Sequence, residues 1–220
     1  MKLLYINPNS TVAMTDSIVE VARRANPGAE VLGWTNHDGP PAIEGPADGA
    51  AAVPGVLSLL PAAREEGVDA IVIACFDDTG LAEARAAAHC PVLGIGQSAY
   101  STAGLLGHKF SVVTTLAVSV PVIEGNIRSL GADRSCASVR ASGIPVLVVE
   151  EGNEETRAHI AQEVLAARDR DGATAAILGC AGMANLRDDL FSRTGLPLID
   201  GVAASALLAE TTAKLSALIA

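Results

Sequence analysis

The chain has 220 residues, half of them hydrophobic but only 3% aromatic, and a formal net charge of −10. That length suits one large α/β domain or two small lobes. The acidic balance and lack of a basic patch argue against nucleic-acid binding, and Ala, Val, Leu and Gly carry the packing, as in parallel sheets covered by helices on both faces.

The start, MKLLYINPNS, has an apolar run only from Leu3 to Ile6 before Asn7-Pro8 ends it. That is too short for a signal peptide. No run approaches the roughly 18 apolar residues of a membrane span, so the expected location is the cytoplasm, with no membrane partner. KLLYI (2–6) reads as a strand. A helix follows from Ser10 or Thr11, both good N-caps, with Met14, Ile18, Val21, Ala22 and Ala25 on one face. Arg23 and Arg24 suit its C-terminus, and Asn26-Pro27 stops it. AEVLGW (29–34) is a strand and GPPAIEGPADG (39–49) a Gly/Pro-rich loop, in which Glu44 suits either a gate or a solvated position. A helix with Ala50, Val53, Val56, Leu57 and Leu60 inward comes next. DAIVIA (69–74) is a buried strand, LAEARAAA (81–88) a helix and CPVLGIG (90–96) a strand.

The pattern then restarts. KFSVVT (109–114) matches KLLYIN (2–7), and CASVRAS (136–142) sits near the place of GAEVLGW (28–34). AAILGC (175–180) matches AIVIAC (70–75), and LPLIDG (196–201) matches CPVLGI (90–95). Four strands in the same order, offset by about 105 to 108 residues, imply a duplication. The expected fold is α/β: two pseudo-symmetric Rossmann-like lobes, each with a central, mostly parallel four-stranded sheet flanked by helices, and the active site in the cleft between them. The first lobe is assigned to 1–97 plus 207–220 and the second to 98–206, with the helical end 203–220 packing back across the lobes.

Ligands of open parallel sheets bind beyond the carboxyl ends of the strands. Here those ends carry Asn7, Cys75, Thr114 and Cys180. If the lobes face each other, the two cysteines approach one cleft from opposite sides. A pair of opposed thiols suits the removal of a proton from one face of a carbon and its return to the other. The ordinary thiol pKa of about 8.5 lies near neutrality, and a helix N-terminus lowers it. Both cysteines precede expected helix starts. Backbone N–H groups after Cys75 and Cys180, with Asn7, Thr114 and Thr115, are placed to stabilise an enolate-like oxygen. Asp77 and Asp78 suit either a cap on the helix that follows them or a substrate contact. Cys90 and Cys136 are not at strand carboxyl ends and read as structural. With no CxxC pair and with His37, His89, His108 and His159 scattered, no metal site is expected.

INPNST (6–11), AIEG (42–45), AVPG (52–55), IACFDDTGL (73–81), FSVVTTL (110–116), ILGCAGM (177–183) and PLIDGV (197–202) span nearly the whole chain. In that order they resemble the aspartate/glutamate racemase superfamily, and within it the hydantoin and allantoin racemase branch. The resemblance implies a cofactor-independent racemase with Cys75 and Cys180 as its two bases. It implies that Asn7, Ile43, Phe76, Asp77, Asp78, Thr114, Thr115, Ala181 and Gly182 line the substrate pocket. It implies a small cyclic ureide as substrate, inverted at C5, and a homo-oligomer. Members of the branch often read CFGDPG where this chain has CFDDTG. The additional Asp77 and Thr79 therefore bear on the substituent, and Asp77 favours the polar ureido group of allantoin over arylalkyl hydantoins.

The rival readings are another reaction of the same superfamily (an amino-acid racemase, decarboxylase or cis–trans isomerase) and a two-lobed binding protein without turnover. Retention of both cysteines favours racemisation over decarboxylation, cis–trans isomerisation or binding alone. Pyridoxal chemistry has little support, because Lys2 and Lys109 start strands and Lys214 lies on a late helix. Neither GxGxxG after the first strand nor a Walker A motif is present.

Overall fold

The protein is described by a computed structural model over residues 1–219. Eight strands form two four-stranded sheets of the same topology. In the first, Glu30–Thr35 (β2), Lys2–Asn7 (β1), Ala70–Ile73 (β3) and Val92–Gly94 (β4) lie in that order. In the second the order is Cys136–Ala141 (β6), Phe110–Thr114 (β5), Ala175–Gly179 (β7) and Leu198–Asp200 (β8). Every neighbouring pair is parallel. The sheets thus repeat the order read from the sequence, strand for strand.

The central strands are buried on both faces, which explains their continuous apolar runs. Alternation along β1 divides the core. Leu3 and Tyr5 join one large cluster that includes Phe110, Val112 and Ile177 of the second sheet, so the two sheets share a core. Leu4 and Ile6 face the other way, into a smaller cluster with Val56, Ile71 and Ile73.

Ten helices connect the strands within the described residues. Val12–Ala25 (α1) buries Met14, Ile18, Val21 and Ala22. Its N-cap Thr11 makes no side-chain cap bond; its Oγ1 donates instead to the carbonyl of Pro41 at 2.7 Å. The single helix expected after the Gly/Pro loop is two: Pro46–Ser58 (α2) and Leu60–Glu66 (α3). Pro61 lacks the N–H a continuous helix needs there, so the chain restarts at Leu60. Ala52 and Val56 are the buried positions of α2, while Ala50 is exposed. Leu81–Ala87 (α4) lies between β3 and β4. The strand expected over 90–96 ends at Gly94, because Ile95 already begins the helix Ile95–Leu105 (α5). The second repeat holds Val120–Ser129 (α6), Val146–Glu151 (α7), Glu154–Asp169 (α8) and Arg187–Thr194 (α9).

Gly201–Ile219 (α10) is long and apolar enough to cross a membrane by length and composition alone, contrary to the expectation that no segment approaches that limit. In the fold it packs against α1 and α5 and buries Val202, Ser205, Ala206 and Ala209. The hydroxyl of Tyr5 in β1 is paired with Ser205 Oγ at 2.9 Å and with the Val202 carbonyl at 3.2 Å. Both α5 and α10 touch strands of both sheets.

Candidate active site

A cavity of about 370 Å³, including its mouth, lies at the carboxyl ends of the strands. Cys75 and Ala74 reach it just beyond β3, and Gly179 and Cys180 reach it at the end of β7. Thr114 and Thr115 close β5 against it. Phe76, Asp77, Ile43 and Ala181 complete the expected residues that line it. Asn9, Met14, Ser119 and Val146 line it as well, and the sequence reading did not single these out.

Two glycines make this geometry possible. A Cβ on Gly179 would stand 2.8 Å from Val112 Cγ1 and from the Val113 carbonyl oxygen, so only glycine lets β7 deliver Cys180 this close to β5. The Thr114 hydroxyl donates to the Gly179 carbonyl at 2.9 Å and ties the same two strand ends together. A Cβ on Gly94 would sit inside the carboxylate of Asp78. That space is needed because Asp78 accepts the N–H groups of Gly96 and Gln97 at 3.0 and 2.8 Å, capping α5.

Asp78 therefore caps a helix from outside its own segment and does not line the cavity. Asn7 does not line it either. Its side chain holds Asn9 through a bond to Asn9 Oδ1 at 2.9 Å and the returning bond from the Asn9 N–H at 3.2 Å. It also reaches Thr15 Oγ1 at 3.0 Å. Gly182 lies behind Cys180, with its N–H directed at the thiol. The signal for Asn9 was present in INPNST, two residues beyond Asn7. Ser119 and Val146 carry no local signal, because they reach the cavity from the second repeat, Ser119 from a short turn and Val146 from the start of α7.

The thiols differ from the expectation in one respect. Burial pushes Cys75 well above the ordinary thiol range, and the charge of Asp77 adds to this. Burial pushes Cys180 up to about 12. The helix-start donors are present but weaker than burial. Thr79 Oγ1 donates to Cys75 Sγ at 3.4 Å, the Asp77 N–H also serves Cys75, and the N–H groups of Gly182 and Met183 serve Cys180. Cys75 is also close enough to Cys180 for a charge there to raise it further. Burial thus favours the protonated form of both thiols at neutral pH, and each has donors ready to stabilise its thiolate.

Phe76 is fixed by an edge-to-face contact with Tyr100, ring centroids 5.6 Å apart, and Tyr100 stacks on Phe110 at 6.0 Å. This column holds the loop after Cys75 against α5 and β5. From the other side the loop around Ile43 closes the cavity: Glu44 Oε1 accepts the Val146 N–H at 2.8 Å, joining the first repeat to the start of α7 in the second. Cys90, Cys136 and the four histidines do not line the cavity. Among the described residues no group of three or more His, Cys, Asp or Glu stands ready to hold a metal ion.

The family model described as Asp/Glu/Hydantoin racemase matches residues 3–209. The chain belongs to this racemase family. It is 45% identical to the hydantoin racemase of Rhizobium meliloti over 211 residues, covering 96% of this chain and 88% of that one. It is 38% identical to the hydantoin racemase of a Pseudomonas species, covering 98% and 87%. The structure of an allantoin racemase from Klebsiella pneumoniae superimposes with a TM-score of 0.93 at 38% identity, covering 98% of this chain and 89% of that one. These relatives support a racemase with the two-lobed α/β fold of the family.

Proposed function

We propose that this racemase inverts C5 of a 5-substituted cyclic ureide, a hydantoin or allantoin, by proton transfer between Cys75 and Cys180. The observation that carries the reading is the pair of thiols brought to one cavity from two sheets of like topology. Once one thiol has released its proton to solvent, its thiolate removes the C5 proton, and the thiol on the other side gives a proton to the opposite face. The two exchange roles for the other enantiomer.

The C5 proton lies beside a ring carbonyl, so its loss gives a conjugated enolate. Thr115 and Asn9 in the lining are polar neighbours for the ring. No Lys, Arg or His lines the cavity, so no cation there pairs with a free amino-acid carboxylate, whereas a neutral ring suits walls of Met14, Ile43, Phe76 and Val146. Cys75 and Cys180 carry the proton, Asn7 positions Asn9, and Asp78 and Gly182 act from behind the lining. No cofactor is required for this chemistry.

The test is optical rotation in D2O on each enantiomer of allantoin and of 5-benzylhydantoin. Wild type should abolish rotation from either hand and place deuterium at C5. Cys75→Ser and Cys180→Ser should each reduce the rate by about 10²- to 10⁴-fold in both directions. Full activity in either variant would sink the two-thiol mechanism. Binding of the rings without loss of rotation in folded, reduced wild type would indicate a binding protein.

A further inference from the structure

Asp77 is the one side chain lining the cavity that bears a formal charge, and the lining offers no cation to answer it. Its carboxylate is held in place from across the cleft. Ser119 Oγ donates to Oδ2 at 3.2 Å, and Asn126 Nδ2 donates to the main-chain carbonyl of Asp77 at 2.9 Å. Ser119 ends the short turn Ala117–Ser119, and Asn126 lies on α6, so both partners belong to the second repeat. An ionised carboxylate offers about four lone-pair sites. The Ser119 bond is the one hydrogen bond this carboxylate accepts from the described residues, and the side chain lines the cavity. The adjacent Asp78 is not available for a ligand, because the N-terminus of α5 occupies it. The corresponding position two residues after Cys180 is Gly182, so the acid stands on one side of the cleft alone.

We propose that Asp77 is the specificity-determining residue of this cavity: its carboxylate receives N–H donors of the substrate's 5-substituent, selecting ureido, amino or guanidino groups and rejecting carboxylates. The proposal rests on the cyclic-ureide reading above and names which members of that class fit. It also links recognition to chemistry. Asp77 raises both Cys75 and Cys180 by its charge. Burial pushes Asp77 itself up to about 6, with the Ser119 bond pulling it down, so it is largely ionised at neutral pH. A substituent that donates to the carboxylate offsets that charge and eases formation of the neighbouring thiolate. A carboxylate-bearing substituent does the reverse.

Wild type and Asp77→Asn would be assayed by polarimetry on allantoin, 5-benzylhydantoin and 5-carboxymethylhydantoin. Wild type should show kcat/KM falling in that order. In Asp77→Asn the allantoin-to-benzylhydantoin ratio should fall about tenfold or more, the effect of losing a hydrogen bond to a charged group, and 5-carboxymethylhydantoin should gain on allantoin. An unchanged ratio, or a wild type that prefers the benzyl or carboxymethyl ring, would overturn the role of Asp77 while leaving the ring assignment intact. Failure of wild type to racemise any of the three rings would overturn the ring assignment and this inference with it. The wild-type order needs no variant, so the idea remains falsifiable if Asp77→Asn folds poorly.

Discussion

Asp78 meets two demands at one position. Its φ of 51° makes it the one non-glycine residue with positive φ among those described. Its two oxygens also take the first free N–H groups of α5. Asn tolerates that backbone and keeps an acceptor, whereas Ala does neither. Asp78→Ala should therefore cost about 1–2 kcal/mol in urea unfolding, and Asp78→Asn distinctly less. Burial pushes Asp78 up to about 7. A raised carboxyl pKa means the folded form keeps a proton that the unfolded chain has released. The stability it confers is full below about pH 4 and is lost as pH rises through about 7. Wild type should thus lose stability relative to Asp78→Asn across that window, and a difference independent of pH would refute the assignment. The meeting of Cys75 and Cys180 in one cavity was legible in the sequence, because both follow apolar runs at matching places in the repeat. A capping role for Asp78 was legible, but not the helix it caps, since its partners lie 18 and 19 residues away beyond another strand. Nor was the direction of the thiol shifts, which depends on how much protein surrounds each sulfur.

The segment 39–45 is tied down at several points. Ser10 N–H donates to the Pro40 carbonyl at 2.9 Å, Thr11 Oγ1 binds the Pro41 carbonyl, and Glu44 crosses to Val146. Gly45, at a φ of 105°, turns the chain into α2 where a Cβ would press on Val118. Of these ties only the Glu44 bond reaches the second repeat, so it is the one that holds Ile43 over the cavity against Val146. Glu44→Ala should speed hydrogen exchange at the Val146 amide and raise KM more than it lowers kcat. Unchanged exchange would show that the segment stays closed without it. The central strands were plain in the sequence because burial on both faces makes them uniformly apolar. The ends of elements were less so. Ile95-Gly96 reads as more strand, yet it opens a helix because Asp78 supplies the cap from a distance. The break before Pro61 was hidden inside an otherwise helical apolar pattern.

Two sheets with one shared core should not melt separately. The sole Trp, Trp34, lies in β2 of the first sheet and reports on it alone. Its fluorescence and the far-ultraviolet circular dichroism of the whole chain should give coincident urea transitions, and two resolved transitions would mean that the sheets are independent units. The duplication was readable because it preserved strand order, and the C-terminal helix was expected to pack across both lobes, as α10 does; the sharing of α5 between sheets was not readable, since a helix of either assignment shows the same apolar face. The repeat also diverged where it matters most: the acid of Asp77 has Gly182 as its counterpart. An inversion catalyst interconverts molecules of identical free energy, and unequal walls leave that balance untouched. The two enantiomers must therefore share one kcat/KM, however different their separate constants. Whichever hand Asp77 holds more firmly is bound to turn over more slowly by the same factor.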